Sequence, residues 1–130
     1  MKVIEVAAGI IADAGRYLIA RRKAGAHLGG MWEFPGGKRE TGETLEECLH
    51  RELWEELQVR IGTPTPFQVI RHEYPEKVVE LHFFCCRIET GVAVAMDCAE
   101  LRWVYPHEMA DFEFPPADRP IIVALQQQKV

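Results

Sequence analysis

The sequence predicts an α/β or α+β sandwich in which helices cover a mixed sheet. Three observations predict it. Strand-like runs come in a pair near the start and in another pair mid-chain, one amphipathic helix lies between the pairs, and a second helix closes the sequence. At 130 residues the expectation is one domain, residues 1–130, with a core drawn from 48% hydrophobic residues.

Val3 to Ala12 and Tyr17 to Arg22 read as two strands joined at Asp13-Ala14-Gly15, whose residue types suit a hairpin turn. Lys23 to Gly30 reads as a loop. The run Trp32-Glu33-Phe34-Pro35 leads into Gly36-Gly37-Lys38, where paired glycines let backbone approach a ligand closely. It is not a Walker loop, because Arg39 follows Lys38 and Trp32 occupies the earlier glycine position. Thr44 with Glu47 forms a capping box, so a helix starts there and runs to about Leu57. Gly62 to Pro66 breaks the chain. Phe67 to Tyr74 and Val78 to Ile88 then read as a strand pair around Pro75-Glu76-Lys77, and Leu101 to Tyr105 as a further strand. Pro106 to Ala110 suits a short helical turn, and Ile121 to Gln127 an amphipathic helix entered through proline.

A formal net charge of -5 argues against a nucleic-acid backbone as partner. A polyphosphate would have to be received through bound cations and a few placed basic residues. Cys48, Cys85, Cys86 and Cys98 lack metal-ligand spacing and read as buried thiols of a reducing cytoplasm. The apolar run from Val3 to Ile11 contains Glu5 and meets Asp13, so it reads as neither secretion signal nor membrane span. The five histidines show no ligand spacing and read as structural or surface residues, His27 and His72 being those placed to line a site.

The chemistry concentrates in Glu52, Glu55 and Glu56. Residues three and four apart on a helix are neighbours, so these carboxylates share a face and repel unless something cationic sits among them. At about 100° per residue, Glu52 and Glu56 continue the stripe begun by Leu45, Cys48 and Leu49, toward protein or a cleft. A solvated face would interleave both signs. Oxygen-only ligands from one helix suit Mg²⁺ or Mn²⁺ better than zinc, with other positions left to water and substrate phosphates.

The stretch Gly37 to Val59 carries the pattern G-x5-E-x7-R-E-U-x-E-E-x-G-U, where U is aliphatic, at Gly37, Glu43, Arg51, Glu52, Leu53, Glu55, Glu56 and Val59. In this it resembles the Nudix family. One position departs: the box's second glycine, which ends the helix in a left-handed conformation, is Gln58 here. Beyond the box, the Arg21-Arg22 pair, the run Glu33 to Lys38, Tyr74-Pro75, and the segment Phe114 to Ile121 are similar to the MutT branch. The resemblance implies an α/β/α sandwich with a mixed sheet between helices, and a Mg²⁺-dependent nucleoside triphosphate diphosphatase.

Residue by residue, the resemblance implies Gly37, Glu52, Glu55, Glu56 and Asp97 as metal ligands, with Glu100 the competitor to Asp97. Glu52, Arg51 and Lys38 are the expected catalytic residues. Glu52 serves as ligand or general base, and Arg51 either fixes a carboxylate or reaches a phosphate. Arg22, Phe34, Tyr74, Lys77 and Asp118 are expected to bind substrate. MutT-type enzymes convert 8-oxo-dGTP to the monophosphate and pyrophosphate, cleansing the nucleotide pool. Their base-reading Asn is Asp118 here, and an ionised carboxylate only accepts hydrogen bonds. It could accept from the N7–H that oxidation creates on guanine, or equally from the amino group of cytosine. The alternatives are therefore a pyrimidine pyrophosphohydrolase acting on CTP or a methylated dCTP, and an inactive Nudix-like nucleotide sensor. The expected partner is the nucleotide alone, for a cytoplasmic monomer or homodimer.

Overall fold

The computed structural model describes residues 2–128. Its strands are β1 (Lys2–Asp13), β2 (Arg16–Arg21), β3 (Trp32–Glu33), β4 (Gly36–Lys38), β5 (Arg60–Ile61), β6 (Thr65–Glu73), β7 (Lys77–Cys86), β8 (Ile88–Thr90) and β9 (Glu100–Val104). Helix α1 spans Leu45–Leu57 and α2 spans Arg119–Gln127, with short 3-10 segments at Pro106–Asp111 and Pro116–Asp118. Among the described residues no helix is long and apolar enough to cross a membrane.

β1 organises the molecule. Over ten register pairs, from Lys2↔Lys77 to Ile11↔Cys86, it runs parallel to β7, whose other edge pairs antiparallel with β6. On its opposite edge β1 meets β4, and its end turns through Ala14 and Gly15 into β2. Both turn residues have positive φ, 51° and 80°, the twist that joins two strands through a tight hairpin. β2 continues the sheet to β3 and β9.

Alternation along β1 and β7 divides the apolar residues between two cores. Ala7, Ile11 and Phe84 pack under α1 against Cys48, Leu49, Leu53 and Leu57. Ala8, Ile10 and Phe83 face the other way, with Ile121 and Leu125 of α2. A mixed sheet thus lies between two helices, as expected.

The differences from expectation have local causes. Gly36–Lys38 forms a strand because a Cβ at Gly36 would overlap the Ala7 carbonyl, so only glycine lets the two backbones pair that closely. The break after Gly62 is shorter than predicted: β6 already includes Pro66, tolerated at a register shift between Pro66 and Gln68. Thr44 caps α1 with the expected box. At the other end Gln58 takes the left-handed conformation itself, φ 60° and ψ 40°, while its backbone and side-chain N–H groups both donate to the Trp54 carbonyl. A side chain in that conformation costs about 1–2 kcal/mol, and glycine's extra freedom when unfolded returns about 0.4–1. Gln58→Gly is therefore expected to stabilise the protein by about 0.5–1 kcal/mol in urea unfolding. A fall in stability would mean that the side-chain bond to Trp54 outweighs the backbone strain.

Candidate active site

Three segments meet the C-terminal half of α1: β4 lies against it, β3 supplies Glu33, and the loop before β9 carries Asp97. Glu33 in turn faces Asp118, at the start of α2. Hydrogen bonds from Val94 N to Leu57 O and from Met96 N to Glu56 O, each 3.0 Å, tether that loop to the helix end.

Arg51 supplies the cation the crowded carboxylates require. Its guanidinium donates to both oxygens of Glu43, to Glu52 at 2.7 Å, to Glu55 at 2.8 Å and to the Lys38 carbonyl at 3.0 Å. These bonds hold the Glu43 carboxyl below the usual carboxylate range, and the surrounding carboxylates raise the guanidinium's own pKa. Glu43 is thus an organiser of Arg51, joining strand β4 to the helix.

The three α1 carboxylates differ. Glu55 is exposed, Glu52 is half-buried and Glu56 is buried. Burial raises the Glu52 pKa while Arg51 opposes the rise. Glu56 has no such arginine. Burial first, then the charges of Glu33, Glu52 and Asp97, push it up to about 8, against a backbone hydrogen bond from Gly36. Among the described residues these three groups do not gather within 4.8 Å of one another, because Arg51 draws Glu52 and Glu55 to itself while Glu56 turns inward.

Gly37 packs directly on Glu52: a Cβ there would overlap the carboxylate. Its carbonyl accepts a hydrogen bond from the Cys48 thiol at 3.4 Å. Asp97 is exposed and pairs with Lys23 at 3.0 Å. Glu100 is turned instead to Arg102 at 2.9 Å and Arg21 at 3.9 Å, so Asp97 stands with the α1 carboxylates and Glu100 does not.

Next to this group opens a cavity of about 450 Å³, within the range of small-molecule sites. Ile4, Val6, Val79, Leu81 and Phe83 form its apolar wall, and Gly36, Gly37 and Lys38 are shared with the carboxylate side. Arg22, Phe34, Tyr74, Lys77 and Asp118 all line it. Phe34 is buried against Phe83 and Phe114, with ring centroids 6.0 and 5.7 Å away. Tyr74 is exposed, with His72 edge-on at 4.6 Å and the Lys77 ammonium 5.5 Å from its ring.

Asp118 is buried at the N-terminus of α2 yet makes no capping hydrogen bond there, which leaves its carboxyl to the cavity. Burial, then the charge of Glu33, push it up to about 7, with Arg22 opposing. Arg22 donates to Glu33 at 2.6 Å and to the His27 carbonyl at 2.6 Å. Glu33, itself raised by burial, therefore links the two halves of the site. Sequence reasoning gave Glu33 no role. His27 and His72, the two histidines the sequence left as candidates to line a site, both line the cavity.

Residues 6–124 match the NUDIX domain model. The 8-oxo-dGTP diphosphatase of Escherichia coli is 33% identical over 98% of this chain and 99% of its own, and the CTP pyrophosphohydrolase of the same organism 35% over 95% and 92%. A solved MutT structure, from work on the Aliivibrio salmonicida and Vibrio cholerae proteins, superposes with a TM-score of 0.82 at 27% identity, covering 97% of this chain and 98% of that one. With the box residues gathered on α1 and β4 and the match running nearly end to end, the chain belongs to the NUDIX domain family, as a Nudix hydrolase of the MutT branch.

Proposed function

We propose that the protein is a Mg²⁺-dependent nucleoside triphosphate diphosphatase, with Mn²⁺ as a possible substitute, that converts 8-oxo-dGTP to 8-oxo-dGMP and pyrophosphate. The observation that carries the choice of base is Asp118, a buried carboxyl on the cavity wall pushed up to about 7. Near neutrality much of it is protonated, and a neutral carboxyl offers one donor and one acceptor. Guanine presents two acceptors, O6 and N7, to such a group. Oxidation turns N7 into a donor, so 8-oxoguanine presents the complementary pair and guanine leaves a group unpaired, a difference of about 1–3 kcal/mol.

Glu52, Glu55, Glu56, the Gly37 carbonyl and Asp97 would hold the metal. The donor set is all oxygen, and Glu56, raised by burial first and by its carboxylate neighbours second, has no cation beside it among the described residues to offset their charge. A bound Mg²⁺ supplies charge neutralisation on the triphosphate and a more acidic water. The protein's own side chains do the rest. Arg51, with its donors engaged by protein acceptors, positions Glu52 and Glu55 rather than reaching substrate. Glu52, whose carboxylate packs against Gly37, is the residue we assign to take a proton from the attacking water. Lys38 and Lys77 at the rim face the phosphates, Phe34 and Tyr74 pack the base, and Arg22 steadies Glu33 beside Asp118.

Cytosine also shows a donor beside an acceptor, so a pyrimidine triphosphate is the second reading, supported by the relative named for CTP. Pyrophosphate release from 8-oxo-dGTP, dGTP, CTP and dCTP, with Mg²⁺ and with EDTA, separates the readings. The expected result is EDTA-sensitive release with kcat/KM for 8-oxo-dGTP at least about tenfold above dGTP. CTP ranking first would move the conclusion to the pyrimidine enzyme, and equal rates on all four would defeat both. No release at all would leave a nucleotide sensor.

A further inference from the structure

The sheet face opposite the cavity carries a second group of ligand-bearing side chains. Glu5 and Glu80 are register partners in the parallel pair of β1 and β7, and His82 follows Glu80 by two residues on the same face. His82 Nε2 lies 3.8 Å from Glu5 Oε2 and 3.6 Å from Glu80 Oε1, and one ligand atom from each of the three residues lies within 4.8 Å of the others. The remaining carboxylate oxygens are held by arginines. Glu5 Oε1 takes Arg39 Nε at 3.0 Å and Nη2 at 2.8 Å, and Glu80 Oε2 accepts from Arg71 Nη1 at 2.9 Å. The Nε2 atom is sealed from solvent without a hydrogen-bond partner, the one such side-chain atom among the described residues. Buried polar atoms normally have partners, so this one asks what is missing.

We propose that Glu5, Glu80 and His82 form a binding site for a transition-metal ion of the Zn²⁺ class, separate from the Mg²⁺ site. One imidazole and two carboxylates suit Zn²⁺, leaving a fourth position for water. Ligand atoms about 2.0–2.2 Å from a tetrahedral ion stand about 3.3–3.5 Å apart, so the two imidazole–carboxylate spacings of 3.8 and 3.6 Å close with movements of a few tenths of an ångström, and the two carboxylate oxygens, within 4.8 Å of each other, close by rotation of their side chains. Arg39 and Arg71 turn each free oxygen toward Nε2, the orienting role that surrounding hydrogen bonds play around metal ligands. They also offset the carboxylate charge, which weakens the site for Mg²⁺ or Ca²⁺ and leaves imidazole coordination as the source of affinity. Because the ligands come from both strands of the central parallel pair, the ion ties β1 to β7 and adds stability.

The test is calorimetric titration of the metal-stripped full chain with Zn²⁺ in excess Mg²⁺, alongside thermal melting. Wild type and Glu55→Gln are expected to bind one Zn²⁺ equally, with His82→Gln at least tenfold weaker. Zn²⁺ at a hundredfold over its Kd is expected to raise the melting temperature by about 8 °C in wild type and not in His82→Gln. No Zn²⁺ uptake by wild type, or equal affinity in His82→Gln, would overturn the proposal. Should His82→Gln fail to fold, anomalous scattering at the zinc edge from a soaked wild-type crystal decides. A peak among Glu5, Glu80 and His82 supports the site, and its absence refutes it.

Discussion

Replacing Glu56 by glutamine is expected to lower kcat on the best triphosphate by about 10³-fold while leaving the melting temperature of the EDTA-treated protein unchanged or higher. The two halves have one cause. Glu56 is buried, and burial together with Glu33, Glu52 and Asp97 pushes its carboxyl up to about 8 from an ordinary 4.5. Its folded value exceeds its unfolded one, so folding favours the protonated form. The associated stability is complete below about 4.5 and is lost as pH rises through about 8. Glutamine has the same shape and no charge to desolvate, so at pH 9 the variant escapes that loss, whereas at pH 4 it gains nothing. Catalysis needs the charge that folding disfavours. Steady-state turnover with Mg²⁺ and melting curves at pH 4 and 9 are the measurements. Turnover at the wild-type rate would remove Glu56 from the ligand set, and a lower melting temperature at pH 9 would make it a packing residue instead.

Elements set by local chemistry were legible in the sequence. Thr44 and Glu47 announce the start of α1 because each satisfies the other's backbone N–H, and Asp13-Ala14-Gly15 announces the hairpin because Gly15 takes positive φ without a Cβ clash. The partnership of β1 with β7 was not legible. Alternation says which face of a strand is buried but not which distant strand completes it. β4 was hidden for a related reason: Gly36 and Gly37 have no side chains to alternate, and they form a strand because the Ala7 backbone and the Glu52 carboxylate leave no room for a Cβ. Gln58 corrects a simpler rule. The left-handed helix end is retained there without glycine, since the bonds to the Trp54 carbonyl hold it.

For the site, helical spacing placed Glu52 and Glu56 on the inward stripe, and the structure distinguishes them by their surroundings, Arg51 for the first and burial beside other carboxylates for the second. Glu33 escaped because a single acid within an aromatic run carries no periodic signal. Its influence arises only when the fold brings Arg22, Glu56 and Asp118 around it. The sequence reading also treated Asp118 as a pure acceptor. Burial changes that, since a carboxyl pushed up to about 7 changes its hydrogen-bonding pattern within the range where the enzyme works.

Asp118→Asn is accordingly expected to abolish a pH dependence of base selection that the wild type shows. As pH rises from 6 to 8.5 the wild-type carboxyl loses its donor, and a carboxylate then faces O6 of 8-oxoguanine as well as its N7–H. Guanine has the same O6, so that loss is common to dGTP. By contrast, 8-oxo-dATP keeps the N7–H but has an amino donor in place of O6. The ratio of kcat/KM for 8-oxo-dGTP over 8-oxo-dATP should therefore fall about tenfold across that range, within the cost of one unpaired buried group. Asparagine carries donor and acceptor at every pH, so its ratio should stay flat. Both substrates share the triphosphate, the metal and the attacking water, so pH effects on those steps cancel in the ratio and the base-reading group is left exposed. Stability gives an independent reading of the same proton. The folded pKa lies above the unfolded value of 3.8, so the favourable contribution is complete below about 4 and is lost as pH climbs through about 7. At 1.36 kcal/mol per pH unit, Asp118→Asn should gain up to about 4 kcal/mol over wild type at pH 8 and nothing at pH 4. A wild-type ratio that holds constant from pH 6 to 8.5, with the stability gain at pH 8 present, would place the raised carboxyl in the wall but take base reading away from it.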